Sequence, residues 1–401
     1  MMEYILFGES HGPAVGVLLR NVPAGLPVDD ELICADLLRR RASGGLTTSR
    51  VETDKVEFLS GIYQGKTTGD PVVAILRNEN ARSADYDALH SLPRPGHADY
   101  TAFVRSGGHN DPRGGGHLSG RLTAPLVVAG SLVKSYLATK GITVTAEIVE
   151  ESALRQRAEE ARRSGDSVGG QIHCTVRGVS AGWGGGDYTE AAECEISRHV
   201  FAIPAVKAIG FGAGEAFADM RGSGANDPLR TDGNTVYTTT NHAGGINGGI
   251  TNGMAIDFTV TFRPTPSIAK PQDTVDLSTM ENATVTVTGR HDACVVLRAV
   301  PAVEAAAALA ICHLLPEESD DLPGLRRELD DIDRRLVSLF AQRQEISHRV
   351  GEYKKSQGLP VQDKKREAEV ISSRAAMAPE HAQEVKALYE EILRLSREVQ
   401  E

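Results

Sequence analysis

Cysteine is scarce in this 401-residue chain and follows no pairing pattern. The five cysteines are Cys34, Cys174, Cys194, Cys294 and Cys312, and no two of them form a C-x-x-C pair. An odd, scattered set argues against a disulfide framework and against a zinc site built on cysteine. We therefore expect no metal centre and a reducing compartment, the cytoplasm.

Long apolar runs and an excess of basic charge are also missing. No apolar run approaches the ~18 residues that span a bilayer, and the opening MMEYILFGES has neither the basic nor the apolar region of a signal peptide. The net charge of −11 argues against nonspecific nucleic-acid binding as a main role. We expect no membrane and no nucleic-acid partner. An acidic protein that handles anions must concentrate its arginines locally.

Glycine nearly disappears after residue 315. Of the 41 glycines, 38 lie before residue 316, whereas charged residues number 63 in the first 315 positions and 34 in the last 86. The junction CHLLPEESDDLPGLRREL is acidic and bounded by prolines, which is typical of a short exposed linker. The sequence predicts a domain at 1–315, a linker at 316–322 and a second domain at 323–401.

The first region mixes strands with helices. Apolar patterning predicts strands at 72–76, 171–179, 255–262 and 283–289, and longer helices at 121–141 and 299–315. Such interleaving favours an α/β or α+β domain without fixing its topology.

The last 80 residues predict an all-α unit of three helices. A seam with alternating spacings of four and three runs through Leu325, Leu329, Ile332, Leu336, Leu339, Ile346, Val350 and Tyr353. A helix of about 30 residues needs partner helices, because propensity alone does not stabilise it. Gly358 and Pro360 end it, and two further helices are predicted at 363–376 and 380–400.

Several glycine-rich segments of the first region carry chemistry. GESHG at 8–12 holds an accessible histidine suited to proton transfer, although the pentapeptide alone favours a loop histidine without a role. RRRASGGLTTSR at 39–50 suits anion binding through arginine forks, or is simply a solvated basic loop. The segment 94–121 packs three histidines and four arginines among seven glycines, a density that structure alone does not explain.

Together these segments resemble chorismate synthase over residues 3–315. The match rests on GESHG (8–12), TTSRVETDKVEFLSGIYQGKTTGDP (47–71), RPGHADY (94–100), NHAGGINGG (241–249) and GRHDACVVLRAVP (289–301). The resemblance implies an α+β fold, a β-α-β sandwich, in a tetramer. It also implies trans-1,4-elimination of phosphate from 5-enolpyruvylshikimate 3-phosphate to give chorismate, with reduced FMN as cofactor.

The resemblance also assigns roles by position. His11, with Ser10 beside it, matches the acid serving the leaving phosphate, His97 the acid that protonates the flavin, and Asp292 the residue that assists flavin N5. Substrate contacts match Arg40, Arg113 and Arg121. Flavin contacts match His117, Leu118, Ser119, Pro204, Ala205, Gly248, Arg263, Pro264, Thr265, Pro266, Ser267 and Arg290.

The chain departs from the family pattern at five positions. Gly45 and His117 stand where the family usually has arginines, Leu122 where it has glutamate, Pro204 for asparagine and Arg263 for lysine. The loss of two arginines weakens anion contacts, each a charge-assisted bond of roughly 1.5–3 kcal/mol. Because His11, His97 and Asp292 are kept, we expect altered flavin or substrate affinity and retained activity.

One polar residue interrupts the helical seam. Arg343 falls in register between Leu339 and Ile346, where it either fixes the register of the coil or points into a polar cavity. The helical region resembles the all-α chorismate mutase over residues 323–401. The binding pattern matches at Arg326, Arg343, Lys354, Asp363, Arg366, Glu367, Ser396 and Gln400.

This second resemblance implies rearrangement of chorismate to prephenate in an intertwined dimer, with Arg326 reaching the partner's site. Arg343, Lys354, Glu367 and Gln400 match the catalytic positions. The competing interpretation is a non-catalytic helical module that senses a ligand or dimerises. For the first domain, the alternatives are a flavoprotein of other chemistry or a flavin-binding remnant. The sequence leaves open whether a separate flavin reductase supplies reduced FMN or whether the chain reduces it with NADPH.

Overall fold

The computed structural model describes residues 2–41, 45–47, 52–80, 91–287, 292–316 and 322–400. Its strands are β1 (Glu3–Gly8), β2 (Ala14–Arg20), β3 (Val56–Ser60), β4 (Ile62–Tyr63), β5 (Lys66–Thr67), β6 (Val72–Arg77), β7 (Thr143–Ile148), β8 (Gly170–Arg177), β9 (Val206–Phe211), β10 (Leu229–Thr231), β11 (Val236–Thr238), β12 (Ile246–Asn247), β13 (Ile250–Thr251), β14 (Ile256–Phe262), β15 (Gln272–Asp276) and β16 (Glu281–Val285). Its helices are α1 (Asp30–Arg40), α2 (Asp99–Ser106), α3 (Thr123–Thr139), α4 (Glu151–Arg163), α5 (Ala192–Phe201), α6 (Gly222–Ala225), α7 (Val300–Leu314), α8 (Leu322–Gln357), α9 (Lys364–Ala375) and α10 (Ala382–Gln400).

The chain divides into two compact units, Met1–Pro316 and Glu317–Glu401. Residues 317–321, most of the predicted linker, lie outside the described residues. The exact linker bounds therefore stay a prediction.

The first unit is a sandwich of two antiparallel sheets around a layer of helices. One sheet has the order β1-β2-β6-β3 and the other β7-β8-β14-β9. Helix α3 packs on β2 and β6, α7 packs on β7 and β8, and the two helices pack against each other. The expected α+β class and β-α-β sandwich are confirmed.

The central helices are apolar on every side because they are covered on every side. Leu132 and Leu309 are almost completely buried. At Gly130 a Cβ atom would lie 2.2 Å from the Cβ of Ala305, so only glycine lets α3 and α7 approach this closely. The segment Gly120–Thr139 is long and apolar enough to cross a membrane by composition, but it is largely buried in this core.

Charged residues are also buried among these helices, where each has partners. Glu304 of α7 accepts hydrogen bonds from Arg39 and from Lys134, at 2.7 and 3.1 Å. Asp36 contacts the same two cations and accepts from Ser131 at 2.8 Å. Paired in this way, the charges tie α1, α3 and α7 together without leaving an isolated ion in the core.

The second unit consists of α8, α9 and α10, as the sequence predicted, with α10 packed against both other helices. The 36 residues of α8 exceed the predicted 30. Much of its apolar seam is exposed: Leu329 and Leu339 are each 60% exposed. Within one chain, α10 does not cover the seam.

Candidate active sites

A cavity of about 730 Å³ lies in the first unit, and most of the predicted synthase residues line it. The predicted residues on its wall are Ser10, Arg40, His97, His117, Leu118, Ser119, Arg121, Pro204, Ala205, Arg263, Thr265, Pro266, Ser267 and Asp292. Its volume falls within the ~300–1,000 Å³ of typical small-molecule sites.

A glycine turn and an asparagine position the GESHG loop at the end of β1. Gly8 has φ +90°, and a Cβ there would lie 2.3 Å from the carbonyl oxygen of Ala14, so the turn requires glycine. The amide of Asn78 donates to the carbonyl oxygens of Glu9 and Gly12, at 3.0 and 2.8 Å. The loop that carries Ser10 and His11 is therefore fixed at both ends.

The two predicted catalytic histidines lie against the same run of glycines. A Cβ on Gly114 would lie 2.8 Å from Nε2 of His11, and a Cβ on Gly115 would lie 3.4 Å from Nε2 of His97. Both glycines have positive φ, as does the next, Gly116. The bare backbone thus leaves room for an imidazole at each of two successive glycines, which explains part of the glycine density noted in the sequence.

His97 is oriented by a carboxylate that the sequence-based assignment missed. Its Nδ1 lies 2.6 Å from Oδ1 of Asp99, and Arg94 donates to both oxygens of Asp99, at 2.7 and 2.8 Å. Burial alone would raise the pKa of Asp99, but the hydrogen bonds from Arg94 and His97 outweigh it and hold the pKa well below its usual range. The ionised carboxylate accepts from Nδ1–H, which leaves Nε2 as the exchangeable position.

Two predicted arginines share one buried carboxylate. Arg40 lies 3.4 Å from Asp54, and Arg121 donates to the other oxygen of Asp54. Arg121 also donates to the side-chain oxygen of Asn78 at 3.0 Å, which links it to the GESHG loop. Burial lowers the pKa of Arg40 to about 9 despite the attraction of Asp54, because its charge has lost its hydration.

Asp292 is paired with an arginine of the same motif. Arg298 donates to both of its oxygens, at 2.9 and 2.6 Å, and both side chains are largely buried on the cavity wall. A bidentate pair holds the carboxylate in one orientation.

Positive charge dominates the cavity. The described wall carries seven cationic side chains against three carboxylates. The cations are Arg40, Arg41, Arg94, Arg121, Lys207, Arg263 and Arg298, and the carboxylates are Glu52, Asp54 and Asp292. In a chain with a net charge of −11, this surplus marks a site for anionic ligands.

Some predicted site residues lie off this wall. His11 touches the wall through Gly114, and Arg113 pairs with Asp111 at 2.7 Å. Gly248 is exposed in the turn between β12 and β13, and Pro264 does not line the cavity. Arg290 lies outside the described residues.

The departures from the family pattern have separate structural settings. His117 contacts the carbonyl oxygen of Gly8 through Nδ1 at 3.0 Å, and Arg263 donates to the carbonyl oxygen of Gly96 at 2.5 Å. Leu122 is buried on the wall, and Gly45 is exposed away from it. Ala205, after Pro204, has φ +72°, a strained conformation of the kind that clusters at functional sites.

In the second unit, predicted mutase residues meet between α8 and α10. Arg343 donates to the hydroxyl of the buried Ser396. Lys354 donates to the side-chain oxygen of Gln400 at 3.4 Å and to the carbonyl oxygen of Val361 at 2.5 Å. Ser396 and Gln400 are one turn apart on α10 and therefore share a face.

A glycine allows this close approach of the two helices. A Cβ on Gly351 would lie 2.7 Å from the Cα of Gln400. Because position 351 has no side chain, Lys354 of α8 and Gln400 of α10 can lie close together.

Helix α9 adds the remaining predicted residues. Glu367 pairs at 2.8 Å with Arg397 of α10, a residue absent from the sequence-based set. Asp363 caps the start of α9 by accepting from the backbone N–H of Arg366 at 3.0 Å. The Arg366 side chain is exposed and reaches Glu369 at 3.5 Å, away from the other predicted residues.

Arg326 stands apart from the others. It is exposed near the start of α8, 17 residues before Arg343, which corresponds to about 25 Å along a helix. It cannot share a small site with Arg343 of its own chain.

Known proteins resemble both units. The family description "Chorismate synthase" matches residues 2–315, and "Chorismate mutase type II" matches residues 325–401. The chorismate synthase of Thermococcus kodakarensis is 42% identical over 342 residues, covering 79% of this chain and 96% of that protein. That of Korarchaeum cryptofilum is 44% identical over 347 residues, covering 78% of this chain and 96% of that protein.

A solved structure shares the fold. The crystal structure of a chorismate synthase aligns with a TM-score of 0.63 at 22% identity, over 84% of this chain and 98% of that one. Together with the cationic cavity and the paired residues of α8 and α10, these matches establish the identity of both units. The chain belongs to the chorismate synthase family and joins to it a chorismate mutase type II domain, which makes it a bifunctional shikimate-pathway enzyme.

Proposed function

We propose that reduced FMN and 5-enolpyruvylshikimate 3-phosphate bind together in the 730 Å³ cavity, with both ligands held by its cationic wall. The observation that carries this proposal is the placement of His11 and His97 on one glycine run beside the buried pair Arg40 and Arg121. Proton donors and anion-binding groups thus converge on one cavity.

The residues present suit FMN. The surplus of cations matches its phosphate, and the segments around Ser119, Ala205 and Ser267 offer hydroxyl and backbone groups on the wall. When bound, reduced FMN supplies a transient electron and a basic N5 position for the substrate's C6 proton. In this proposal, Gly45 and His117, which stand where the family usually has arginines, alter the affinity for flavin or substrate. Neither change removes a catalytic group.

The chain's own side chains have distinct tasks in the elimination. In the elimination, the C3–O bond to phosphate breaks and a proton leaves C6. The departing phosphate therefore needs a proton donor, and the part of the cavity that holds the cofactor needs groups that transfer a proton. His11 donates the proton at the phosphate, next to Ser10. His97 holds a proton at Nε2, and Asp292 assists proton removal near N5. Arg40 and Arg121 bind the substrate's anionic groups.

The electrons for FMN come from outside the elimination, because the reaction is redox-neutral overall. A separate flavin reductase supplies reduced FMN in this proposal. NADPH becomes a substrate of the chain only if the synthase unit itself reduces the flavin. Oxidation of NADPH by the purified protein with FMN distinguishes these two sources.

In the mutase domain the chain's residues act by orientation and electrostatics. The rearrangement of chorismate to prephenate needs no nucleophile and no proton transfer, so preorganised charge is the main source of rate. Arg343 and the partner subunit's Arg326 clamp the two carboxylates of chorismate. Lys354 and Gln400 donate to the ether oxygen as the C–O bond breaks, and Glu367 holds a hydroxyl.

The exposed seam of α8 supports an intertwined dimer. Leu329, Leu336 and Leu339 are each more than half exposed, whereas an apolar seam is stable in water only when covered. A second copy of α8 is the occupant that this spacing fits. We place the assembly in the cytoplasm as a homo-oligomer that combines mutase dimers with synthase tetramers.

A dimerisation or sensing module without catalysis would show the same exposed seam. The contact between Lys354 and Gln400 favours catalysis, since binding alone does not need donors at the ether oxygen. Turnover of chorismate by the full-length protein discriminates the two: a sensor binds chorismate and forms no prephenate.

The synthase assignment is tested with His11→Ala and His97→Ala under anaerobic conditions with reduced FMN. Each change is expected to lower chorismate formation by about 10²–10⁴-fold, the usual contribution of a positioned acid. Urea unfolding followed by Trp183 fluorescence is the control for folding, because the single tryptophan lies in the same unit as both histidines. Chorismate formation at the unmodified rate in both variants would refute these roles.

A further inference from the structure

Three side chains that could hold a metal come together on the first unit, and none is among the described residues that line the cavity. Helix α5 supplies Glu195 and His199, one turn apart, and α7 supplies His313 near its end. Their candidate ligand atoms lie within 4.8 Å of one another. Oε1 of Glu195 is 2.7 Å from Nδ1 of His313 and 3.3 Å from Nδ1 of His199. We call these three residues the Glu195 cluster.

The hydrogen bonds of His313 leave a lone pair facing a carboxylate. Its Nε2 contacts the carbonyl oxygen of Met2, which can only accept, so Nε2 carries a hydrogen. In neutral His313 the Nδ1 lone pair then faces Oε1 of Glu195, a second acceptor. Two acceptors at this distance need a proton or a cation shared between them.

At present Arg198 supplies that positive charge. Its Nη2 lies 2.6 Å from Oε1 of Glu195 and 3.1 Å from Nδ1 of His313. Its side chain is 63% exposed, whereas those of His199 and His313 are 3% and 8% exposed. The cationic partner is therefore the exposed member of the group, and the two histidines beneath it are buried.

From this geometry we propose that the Glu195 cluster binds a divalent transition metal of the zinc type, which displaces Arg198. Two imidazoles and one carboxylate form a recognised zinc donor set that keeps one position for water. Ligands at 2.0–2.1 Å in a tetrahedron are about 3.3 Å apart, so the closest pair opens by about 0.6 Å. The contact of His313 with Met2 is the outer hydrogen bond that orients a metal-bound imidazole.

Binding requires one change of tautomer. His199 contacts the backbone oxygen of Glu195 at 3.0 Å through Nδ1, and ligation through that atom moves its hydrogen to Nε2.

The scattered cysteines predict no metal centre, but this cluster contains no cysteine and is assembled from positions more than 100 residues apart. A bound metal would join α5 and α7 beside the start of β1, and it is independent of the proposed catalytic chemistry. Because it would link two helices of the folded unit, a metal bound there would stabilise that unit.

The test titrates Co²⁺ into chelator-treated, tag-free full-length protein and follows the visible absorption of bound cobalt, with Zn²⁺ competition. We expect one high-affinity site per chain that His313→Ala weakens by at least about tenfold. Arg198→Met is expected to tighten binding by about tenfold, because the competing cation is gone. His348→Ala, an exposed histidine of α8, is the matched control.

Synthase activity and the fluorescence of Trp183, the single tryptophan, report whether each variant is folded. Because Arg198→Met is expected to gain affinity, misfolding cannot imitate its result. Unchanged affinity in Arg198→Met would overturn the proposal, and so would cobalt binding that persists in His313→Ala. The cluster would then be a protein-only ion network closed by Arg198.

Discussion

Nδ1 of His97 lies 2.6 Å from Oδ1 of Asp99, and the same carboxylate is held by Arg94. This relationship fixes which nitrogen of His97 can exchange a proton. The imidazole presents Nε2 to the glycine run, next to the place where His11 lies. In the proposed mechanism Asp99 is therefore a positioning residue, which acts through His97 and not on the substrate.

Asp99→Asn is expected to lower kcat for chorismate formation by about 10²-fold, because an amide can hold His97 in the wrong tautomer. KM for 5-enolpyruvylshikimate 3-phosphate should change much less, since Asp99 does not line the cavity wall. Anaerobic steady-state kinetics measure both, and Asp99→Glu should restore part of kcat. If Asp99 had only a structural role, KM would rise together with the fall in kcat, and Asp99→Glu would restore neither.

The effect of Asp99→Asn on the free energy of unfolding is expected to depend on pH. Above its ordinary pKa of 3.8, Asp99 is ionised in the unfolded chain too, and its paired, lowered pKa contributes its full stabilisation. As pH falls through that value, protons bind the unfolded chain first and the contribution declines. The wild type should exceed Asp99→Asn in unfolding free energy at pH 7, by about 1 kcal/mol or more.

This difference should narrow by about 0.5 kcal/mol on going to about pH 3.5. Urea unfolding followed by Trp183 fluorescence isolates the first unit, because the single tryptophan lies there. A difference that grows as pH falls would show that the Asp99 carboxylate is not stabilised by Arg94 and His97.

The mutase site is expected to combine residues of two chains, with Arg326 supplied by one chain and Lys354 by the other. Arg326→Ala and Lys354→Ala should each abolish most mutase activity, whereas Lys355→Ala, the exposed neighbour of Lys354, should not. When the two inactive variants are co-expressed, half of the dimers are mixed and one of the two sites in each is intact. Mutase activity should return to about one quarter of wild type.

If Arg326 served its own chain's site, every site in a mixed dimer would still carry one substitution and no activity would return. Chorismate consumption by the co-expressed sample, compared with a mixture of separately purified variants, separates these cases. Synthase activity should be the same in all samples.

The sequence predicts the elements of this fold well and the assembly of its sites less well. Helices α3 and α7 were expected from long apolar patterns, and both are present within two residues of the predicted ends. The strand predicted at 283–289 is found at Glu281–Val285, and residues 288 and 289 lie outside the described residues. Local periodicity carries this information because burial follows the helix and strand repeats.

The residues that pair with the predicted site residues were missed, because they lie far away in sequence or resemble ordinary surface charges. Asp54 joins Arg40 and Arg121 although 67 residues separate it from the latter. Asn78 holds the GESHG loop through a hydrogen bond to Gly12, 66 residues earlier in the sequence. Asp99 and Arg298 could have been proposed from the sequence, since each lies within six residues of a histidine or carboxylate already assigned. Spacing alone, however, does not show which charges pair.

The seam of α8 shows a different limit. Its periodicity predicts a buried face, yet Leu329 and Leu339 are exposed in the single chain. The pattern records a partner that one copy of the chain does not supply. Periodicity therefore predicts that this face of α8 is covered, and the structure shows that the helices of the same chain do not cover it.

One anaerobic experiment tests the central claim that this chain performs both reactions. Full-length protein is given reduced FMN and 5-enolpyruvylshikimate 3-phosphate, and phosphate, chorismate and prephenate are followed together. We predict prephenate and phosphate in equal amounts from the wild type, accumulation of chorismate from Lys354→Ala, and neither product at a significant rate from His11→Ala. Release of phosphate without prephenate from the wild type, or prephenate from Lys354→Ala at the wild-type rate, would contradict the account.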